Sequence, residues 1–494
     1  MGQKISNDKI ITNMIWRFAE RCGAQGVAFI VSLVLARILE PRMYGIIALV
    51  TVFTSILSVF IDSGFGNALI QKKDADDIDF SSVFFFNITI CSILYMIMFI
   101  SAPYIALFYK DNQLTPVIRV LSLTLIISGV KNIQQAYVSK TMQFKRFFFS
   151  TLGGTLGAAV LGIVLAYKGY GVWALVAQHL FNSTIDTIIL WITVKWRPKV
   201  VFSWHRLKAL LSYGWKFLAS SLINTIYQKI RSLIVGRHYS SADLAFLNKG
   251  DQFPSLLINN INSSIDSVLL PAMSNEQENC ERVKEMTRRA IKTSSYVIYP
   301  AMFGLAAVAS PLIRILLTEK WLPCVFFLRI NCFVYALQPI QTANLNAIKA
   351  MGRSDLFLKL EIIKKTVGLI AMFSTIFISV KVMSCSYVVT TVLSMIINSY
   401  PNKKLLGYSF KEQLKDLMPS IILSGIMCIL CIPITYMGMN DFLTLAIQIA
   451  LGAGFYIGAS AVFKVDSFLY LKEQMLVFKR KFLNRSEQNV KANH

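Results

Sequence analysis

The chain has 494 residues, 55% of them hydrophobic and only 15% charged, whereas a soluble domain carries about 25% charged residues. Its net charge is +24, but the Lys and Arg residues cluster between long apolar runs and form no basic and aromatic RNA-binding motif, so the excess reads as a topology signal and not as nucleic-acid binding. These figures exclude a soluble globular domain and point to a helical membrane protein.

The apolar runs are about 20 to 28 residues long, enough to cross a hydrocarbon core of about 30 Å at about 1.5 Å per residue. In chain order, hydropathy and breaker residues predict helices over 13–39, 44–70, 80–109, 114–137, 147–167 and 172–194, a first six-helix bundle. The opening run is too long, and too interrupted by Arg17, Glu20 and Arg21, to be a cleavable signal. The start MGQKIS fits a myristoylation pattern, but a chain with this many spans gains nothing from one acyl anchor. After the basic stretch WRPKVVFSWHRLK come 210–235, 242–273, 283–317, 323–350, 356–379 and 382–400, a second bundle. Two more segments, 417–437 and 442–463, precede a polar basic tail.

The expected fold is therefore all-α and integral to the membrane, with about fourteen transmembrane helices. The expected organisation is an N-terminal six-helix lobe (1–200), a C-terminal six-helix lobe (201–409), an extra helix pair (410–464) and a basic cytoplasmic tail (465–494). Alternating the loops from a cytoplasmic N-terminus puts most Lys and Arg inside. The largest inside clusters are Lys195 to Lys208 and Lys479, Arg480 and Lys481, so both termini are expected in the cytoplasm.

The two bundles read as copies of one another. Trp16-Arg17-Phe18 recurs as Trp215-Lys216-Phe217, Ala36-Arg37 as Gly236-Arg237, and Ala102-Pro103 as Ser310-Pro311. An even number of helices per copy gives both the same orientation, so a pseudo-two-fold axis is expected along the membrane normal, with the site at the repeat interface.

A charge retained inside hydrocarbon costs roughly 2.5 to 3.5 kcal/mol on insertion scales, so it should face a cavity or a partner. On the first helix Arg17, Glu20 and Arg21 fall on one face by their spacing; on the seventh, Lys216 matches Arg17, with Lys229 and Arg231 deeper; Lys249 and Asp251 follow on the eighth. Arg17, Arg21, Lys216, Lys229, Arg231 and Lys249 are the candidates for a cationic, substrate-binding cavity. Arg37 and Arg237 occupy equivalent outer helix ends and are gate candidates, against the plainer reading of C-terminal charges complementing a helix dipole. A positive interior suits an anionic phosphate or pyrophosphate. Uncharged polar residues crowd the eighth helix (Asn248 to Ser264) and the tenth (Gln338, Gln341, Asn344, Asn346), where they serve either sugar hydroxyls or interhelical packing. Pro254, Pro300, Pro311 and Pro339 are expected to interrupt helices.

Cys428 and Cys431 form a C-x-x-C inside an apolar run without a second ligand pair, which reads as packing. There is no nucleotide-binding loop, catalytic serine elbow or metal spacing. No cofactor, no metal and no enzyme activity are expected. Energy then comes from an ion gradient, with H+ or Na+ carried by Glu20, Asp62 or Asp251.

The fourteen-helix layout, the segment ARILEPRMYGIIAL, the D-S-G-F-G at Asp62 to Gly66 followed by Ala68-Leu69-Ile70-Gln71, and YVSKTMQFKR after the fourth helix resemble the polysaccharide transporter family. This is the Wzx-like branch of the multidrug/oligosaccharidyl-lipid/polysaccharide flippase superfamily. The resemblance implies a multi-pass protein of the bacterial cytoplasmic (inner) membrane. Such a protein flips undecaprenyl-pyrophosphate-linked oligosaccharide units to the outer leaflet for O-antigen, capsule or exopolysaccharide assembly. It also implies a polysaccharide polymerase and a chain-length regulator as partners. Two rivals stay open: a cation-coupled multidrug exporter of the same fold, which would want intramembrane carboxylates to dominate, and a membrane polysaccharide polymerase or ligase, which would want a large outer loop.

Overall fold

Lipid offers no partner to a backbone N–H or C=O, so a chain this apolar must close its hydrogen bonds within each segment. In the computed structural model, which describes residues 7–62, 66–72 and 74–477, each of the fourteen predicted segments is helical. The elements of the first compact unit, Met1–Ala245, are α1 (Asn7–Ile38), α2 (Pro41–Ile61), α3 (Asn67–Gln71), α4 (Asp77–Tyr109), α5 (Leu114–Leu121), α6 (Leu123–Lys140), α7 (Lys145–Tyr167), α8 (Val172–Thr193) and α9 (Trp204–His238). A further helix, α10 (Ser241–Asn275), leads into the second unit, Phe246–His494. That unit holds α11 (Cys280–Ala307), α12 (Ala309–Leu317), α13 (Cys324–Ala336), α14 (Gln338–Ala350), α15 (Ser354–Thr375), α16 (Val380–Leu406), α17 (Phe410–Cys431) and α18 (Asp441–Val462). A last helix, α19 (466–477), lies within the stretch read as tail.

Among the described residues eight spans, two of them joining consecutive helices (α5 with α6, α13 with α14), or nine with one bent pair, are long and apolar enough to cross a membrane on composition alone. The helices that miss that mark include α9, α10 and α15, whose charges and amides dilute their hydropathy, while α1 contributes the shorter apolar stretch Cys22–Ile38. Leu107, Ile192, Phe377 and Phe442 point outward, while Ser81, Asn87, Gln134, Asn344 and Gln448 are buried. This polarity is the reverse of a soluble protein's and is what lipid as solvent selects.

Three predicted spans are not continuous among the described residues. Of the second, α2 and α3 are described, and Ser63, Gly64 and Phe65 between them lie outside the described residues. The fourth tightens at Ser122, where Leu125 N–H donates back to Ser122 C=O at 2.9 Å. The ninth bends by 67° between α11 and α12, and the tenth breaks at Leu337. The last two breaks lie three and two residues before Pro311 and Pro339 respectively, whose missing N–H groups orphan the carbonyls of Ala307 and Tyr335. By contrast, α10 runs through Pro254 and Pro271, and α11 through Pro300.

Within the first unit α7 lies against α1 and α8, and α9 lies against α2 and α4. Gly45 and Gly236 make the α2 contact with α9 and the turn after it close, since a Cβ on Gly45 would run into the Ser241 backbone and one on Gly236 into Leu49. The basic stretch before α9 is clasped to the N-terminus of α4. Trp196 Nε1 donates to Asp77 at 3.2 Å and stacks on Tyr137, Lys199 pairs with Asp77 at 2.7 Å, and Arg206 pairs with Asp76 at 2.5 Å. Asp76 also caps α4 in a capping box with Asp79. Arg206, followed by the Asp79 N–H, pulls the Asp76 carboxyl down to about 2.

Candidate functional site

In the first unit the predicted carboxylates sit between helices. Glu20 on α1 is buried and accepts a hydrogen bond from Thr151 Oγ1 on α7 at 3.3 Å. Arg17 and Arg21 lie on the same helix, and their side chains are outside what the structure describes. Asp62, at the end of α2, accepts from Asn132 Nδ2 on α6 at 3.1 Å. Beside it Lys131 pairs with Asp186 on α8 at 3.1 Å, both largely buried. Asp62 itself is exposed, so the buried ion pair here is Lys131 with Asp186, between α6 and α8. Lys131 was not singled out from the sequence, although as a lysine inside a predicted span it carried the same signal as the residues that were.

On α9, Lys216 is exposed and Lys229 and Arg231 are half-buried. Among the described residues neither Lys216 nor Lys229 forms a hydrogen bond or ion pair. At the far end of that helix Arg237 lies 4.7 Å over the Phe108 ring, and Tyr109 donates to Leu233 C=O at 3.2 Å. Arg237 lines a cavity of about 490 Å³ together with Arg42, Tyr109, Asp111 and His238, closed on one side by the Arg42–Asp111 pair at 3.2 Å. Arg37, the other gate candidate, is exposed at the last turn of α1 and is not among its lining residues.

In the second unit Lys249 is only 5% exposed. Its ammonium donates to Gln252 Oε1 at 3.0 Å and lies 5.8 Å from the Trp321 ring. The adjacent Gly250 lets α10 close on α13, since a Cβ there would meet the backbone at Cys324 and Leu328. Asp251 accepts from Tyr335 on α13 at 2.8 Å. Arg329 donates to Ala306 C=O at 3.1 Å and to Ser310 at 3.3 Å, bracing the bend between α11 and α12.

The amides of the tenth predicted span divide between two faces. Asn344 faces α16 and α17. It donates to Gln413 at 2.8 Å and accepts from Asn402 at 2.6 Å, and Ser399 closes the set, so these groups are packing. Two residues on, Asn346 is 1% exposed and faces a cavity of about 280 Å³ between α10 and α14, lined also by Asn259, Asn262, Asp266, Gln338 and Thr342. Asn262 donates to Thr342 at 2.8 Å, which leaves the cavity lined by amides and hydroxyls with one carboxylate and Lys349.

Helices that bury charge and amide and expose hydrocarbon, with polar cavities inside each unit, define a multi-pass membrane protein. It shares the fold of a solved lipid II flippase, MurJ, in an inward closed conformation: 99% of that chain matches 92% of this one at 15% identity and a TM-score of 0.74. A family model described as a polysaccharide biosynthesis protein matches residues 34–326, and the chain belongs to that family. Among its relatives, the teichuronic acid biosynthesis protein TuaB of Bacillus subtilis (strain 168) is 25% identical over 82% of this chain and 85% of its own. The succinoglycan biosynthesis transport protein ExoT of Rhizobium meliloti (strain 1021) is 24% identical over 64% of each.

Proposed function

We propose that this protein flips undecaprenyl-pyrophosphate-linked oligosaccharide units from the cytoplasmic to the outer leaflet of a bacterial inner membrane, for assembly of a surface polysaccharide. Membership of the polysaccharide biosynthesis family supports the class, and the names of TuaB and ExoT support the cargo. The observation that carries it is on α9, where Lys216 and Lys229 stand without a partner among the described residues. A lysine held in a span is costly unless water or an anion meets it, and a pyrophosphate is the anion this cargo supplies. Each sugar hydroxyl would be penalised in hydrocarbon, so the headgroup needs a polar route while its polyprenyl tail stays in lipid.

In this reading Arg17, Arg21, Lys216, Lys229, Arg231 and Lys249 form the cationic route, and Arg37 and Arg237 gate its outer end. The two lobes are the sequence repeats over 1–200 and 201–409, and the protein is a transporter and not an enzyme. An H+ or Na+ gradient acting on Glu20, Asp62 or Asp251 drives the cycle. The excess of cations in alternate loops puts both termini in the cytoplasm, and a polymerase and a chain-length regulator take the product. The test is surface polysaccharide in cells carrying Lys229→Ala or Arg231→Ala in place of the native gene. Loss of polysaccharide, with normal membrane abundance and lipid-linked units accumulating in the inner leaflet, is expected; full surface polysaccharide in both variants refutes the assignment.

A further inference from the structure

We infer that the cavity between α10 and α14 is a saccharide-reading site that holds one sugar ring of the cargo through its hydroxyl groups. This rests on the flippase reading above and adds which side chains distinguish one sugar from another.

The cavity differs from the interhelical glue around it by what its amides leave unmade. Asn344, Ser399 and Gln413 satisfy one another, and Asn402 is held through its Nδ2 with only its Oδ1 unbonded. Asn346 satisfies neither end of its amide: Oδ1 and Nδ2 are both buried and unbonded, and the Oδ1 of Asn262 and Oε1 of Gln338 are buried and unbonded beside it. All three residues line the same cavity. Buried amides without partners are uncommon, because each costs most of a hydrogen bond, so a cluster of three calls for a polar guest.

The guest's chemistry follows from the donor and acceptor set. Three acceptor oxygens and one NH2 group converge, with Asp266 and Lys349 at the edge and the Asn262–Thr342 pair on the wall. A sugar hydroxyl both donates and accepts, and so answers amide oxygens and an amide NH2 together. A phosphate has no hydrogen to offer those oxygens, would lie near the Asp266 carboxylate, and finds only one cation, Lys349, whose ammonium lies 4.9 Å over the Phe357 ring. The volume, about 280 Å³, is at the low end of small-ligand cavities, which begin near roughly 300 Å³, and suits one ring and not a whole repeat unit.

The test uses the full-length protein purified in detergent and four probes. These are bare undecaprenyl pyrophosphate and the same lipid bearing a single glucose, galactose or N-acetylglucosamine. Wild type is expected to bind at least one glycosylated lipid more tightly than the bare lipid. Asn346→Leu should reduce that preference about tenfold, the scale of one net hydrogen bond, without changing affinity for the bare lipid. Asn346→Asp, which keeps the shape but removes the donor, should reorder the three sugars. Should Asn346→Leu fail to fold, the exposed rim residue Asn259 provides the same comparison as Asn259→Ala. An unchanged preference, or equal loss for bare and glycosylated lipids, overturns the sugar site and leaves the flippase reading standing. Wild type that binds none of the four lipids overturns both.

Discussion

Asp416 on α17 is the residue most exposed to a decisive stability test. Its side chain is 5% exposed and collects both prongs of Arg288 on α11 at 2.7 and 2.8 Å, the Tyr408 hydroxyl at 2.9 Å, and Lys292 at 3.8 Å. Lys292 also reaches Asp466 at 3.0 Å, so one carboxylate and one ammonium tie α11, α17 and the start of α19 together. Replacing Asp416 by Ala leaves the hydroxyl of Tyr408, itself 1% exposed, without its acceptor, which costs about 1 to 3 kcal/mol. The Arg288 side chain is 52% exposed, so its pair is discounted to about 0.2 to 1 kcal/mol. The sum is about 1 to 4 kcal/mol, and each kcal/mol lowers the melting temperature by about 2 to 4 °C for a body of this size. Tyr408→Phe, which removes only the donor, should cost about 1 kcal/mol. Thermal unfolding of the purified protein in one detergent, for both single variants and the double, measures the coupling directly. Asp416→Ala within about 0.5 kcal/mol of wild type, the range of an ordinary surface change, would refute the reasoning, as would strictly additive losses in the double variant.

Two further outcomes are expected. Lys131→Ala leaves the nearly buried Asp186 carboxylate without its cation and should cost about 3 to 5 kcal/mol, whereas Lys131→Met with Asp186→Leu should recover most of that loss; a double variant less stable than the single contradicts the pairing. At the α4 N-terminus, Asp76 is held near 2, below the ordinary carboxylate value of 3.8, so its contribution is present above the unfolded value and is lost as pH falls through the window from about 4 to 2. Amide exchange in the first turn of α4 should therefore quicken across that window, and Asp76→Ala, which removes the capping oxygen, should be fast at every pH. Exchange in wild type that stays flat through the window removes the clasp from the account.

Existence and type of the spanning helices were legible because length and hydropathy are local properties: each of the fourteen predicted segments is helical. Their continuity was less so. Pro300 and Pro311 look alike in sequence, yet α11 runs through the first and bends just before the second. Proline orphans a carbonyl in both places, and packing and capping decide where the helix yields. Arg329, which braces the bend through Ala306 and Ser310, comes from a helix that is distant in sequence at the scale of local pattern. Family membership was legible for a different reason, since ARILEPRMYGIIAL and YVSKTMQFKR lie within the span 34–326 that the family model matches.

Partnership was the least legible property, and the physical reason bears on the site. Asn344 and Asn346 have the same side chain, two positions apart on one helix, but that spacing turns them about 200° from each other. One therefore completes an amide network with α16 and α17 and the other faces a cavity with its amide unbonded. Lys131 and Asp186, 55 residues apart, neutralise each other, whereas Lys229, with the same formal charge in the same kind of helix, meets no partner among the described residues. A list of polar residues in spans therefore mixes groups that hold the bundle together with groups that await a guest, and only the partner separates them. The charges and amides that carry α9 and α10 below the hydropathy of a plain spanning helix are the same groups that give the protein something to bind. A substitution that made either helix a better span, such as Lys229→Leu, should raise or preserve stability while abolishing transport, the trade expected where polarity is kept for function.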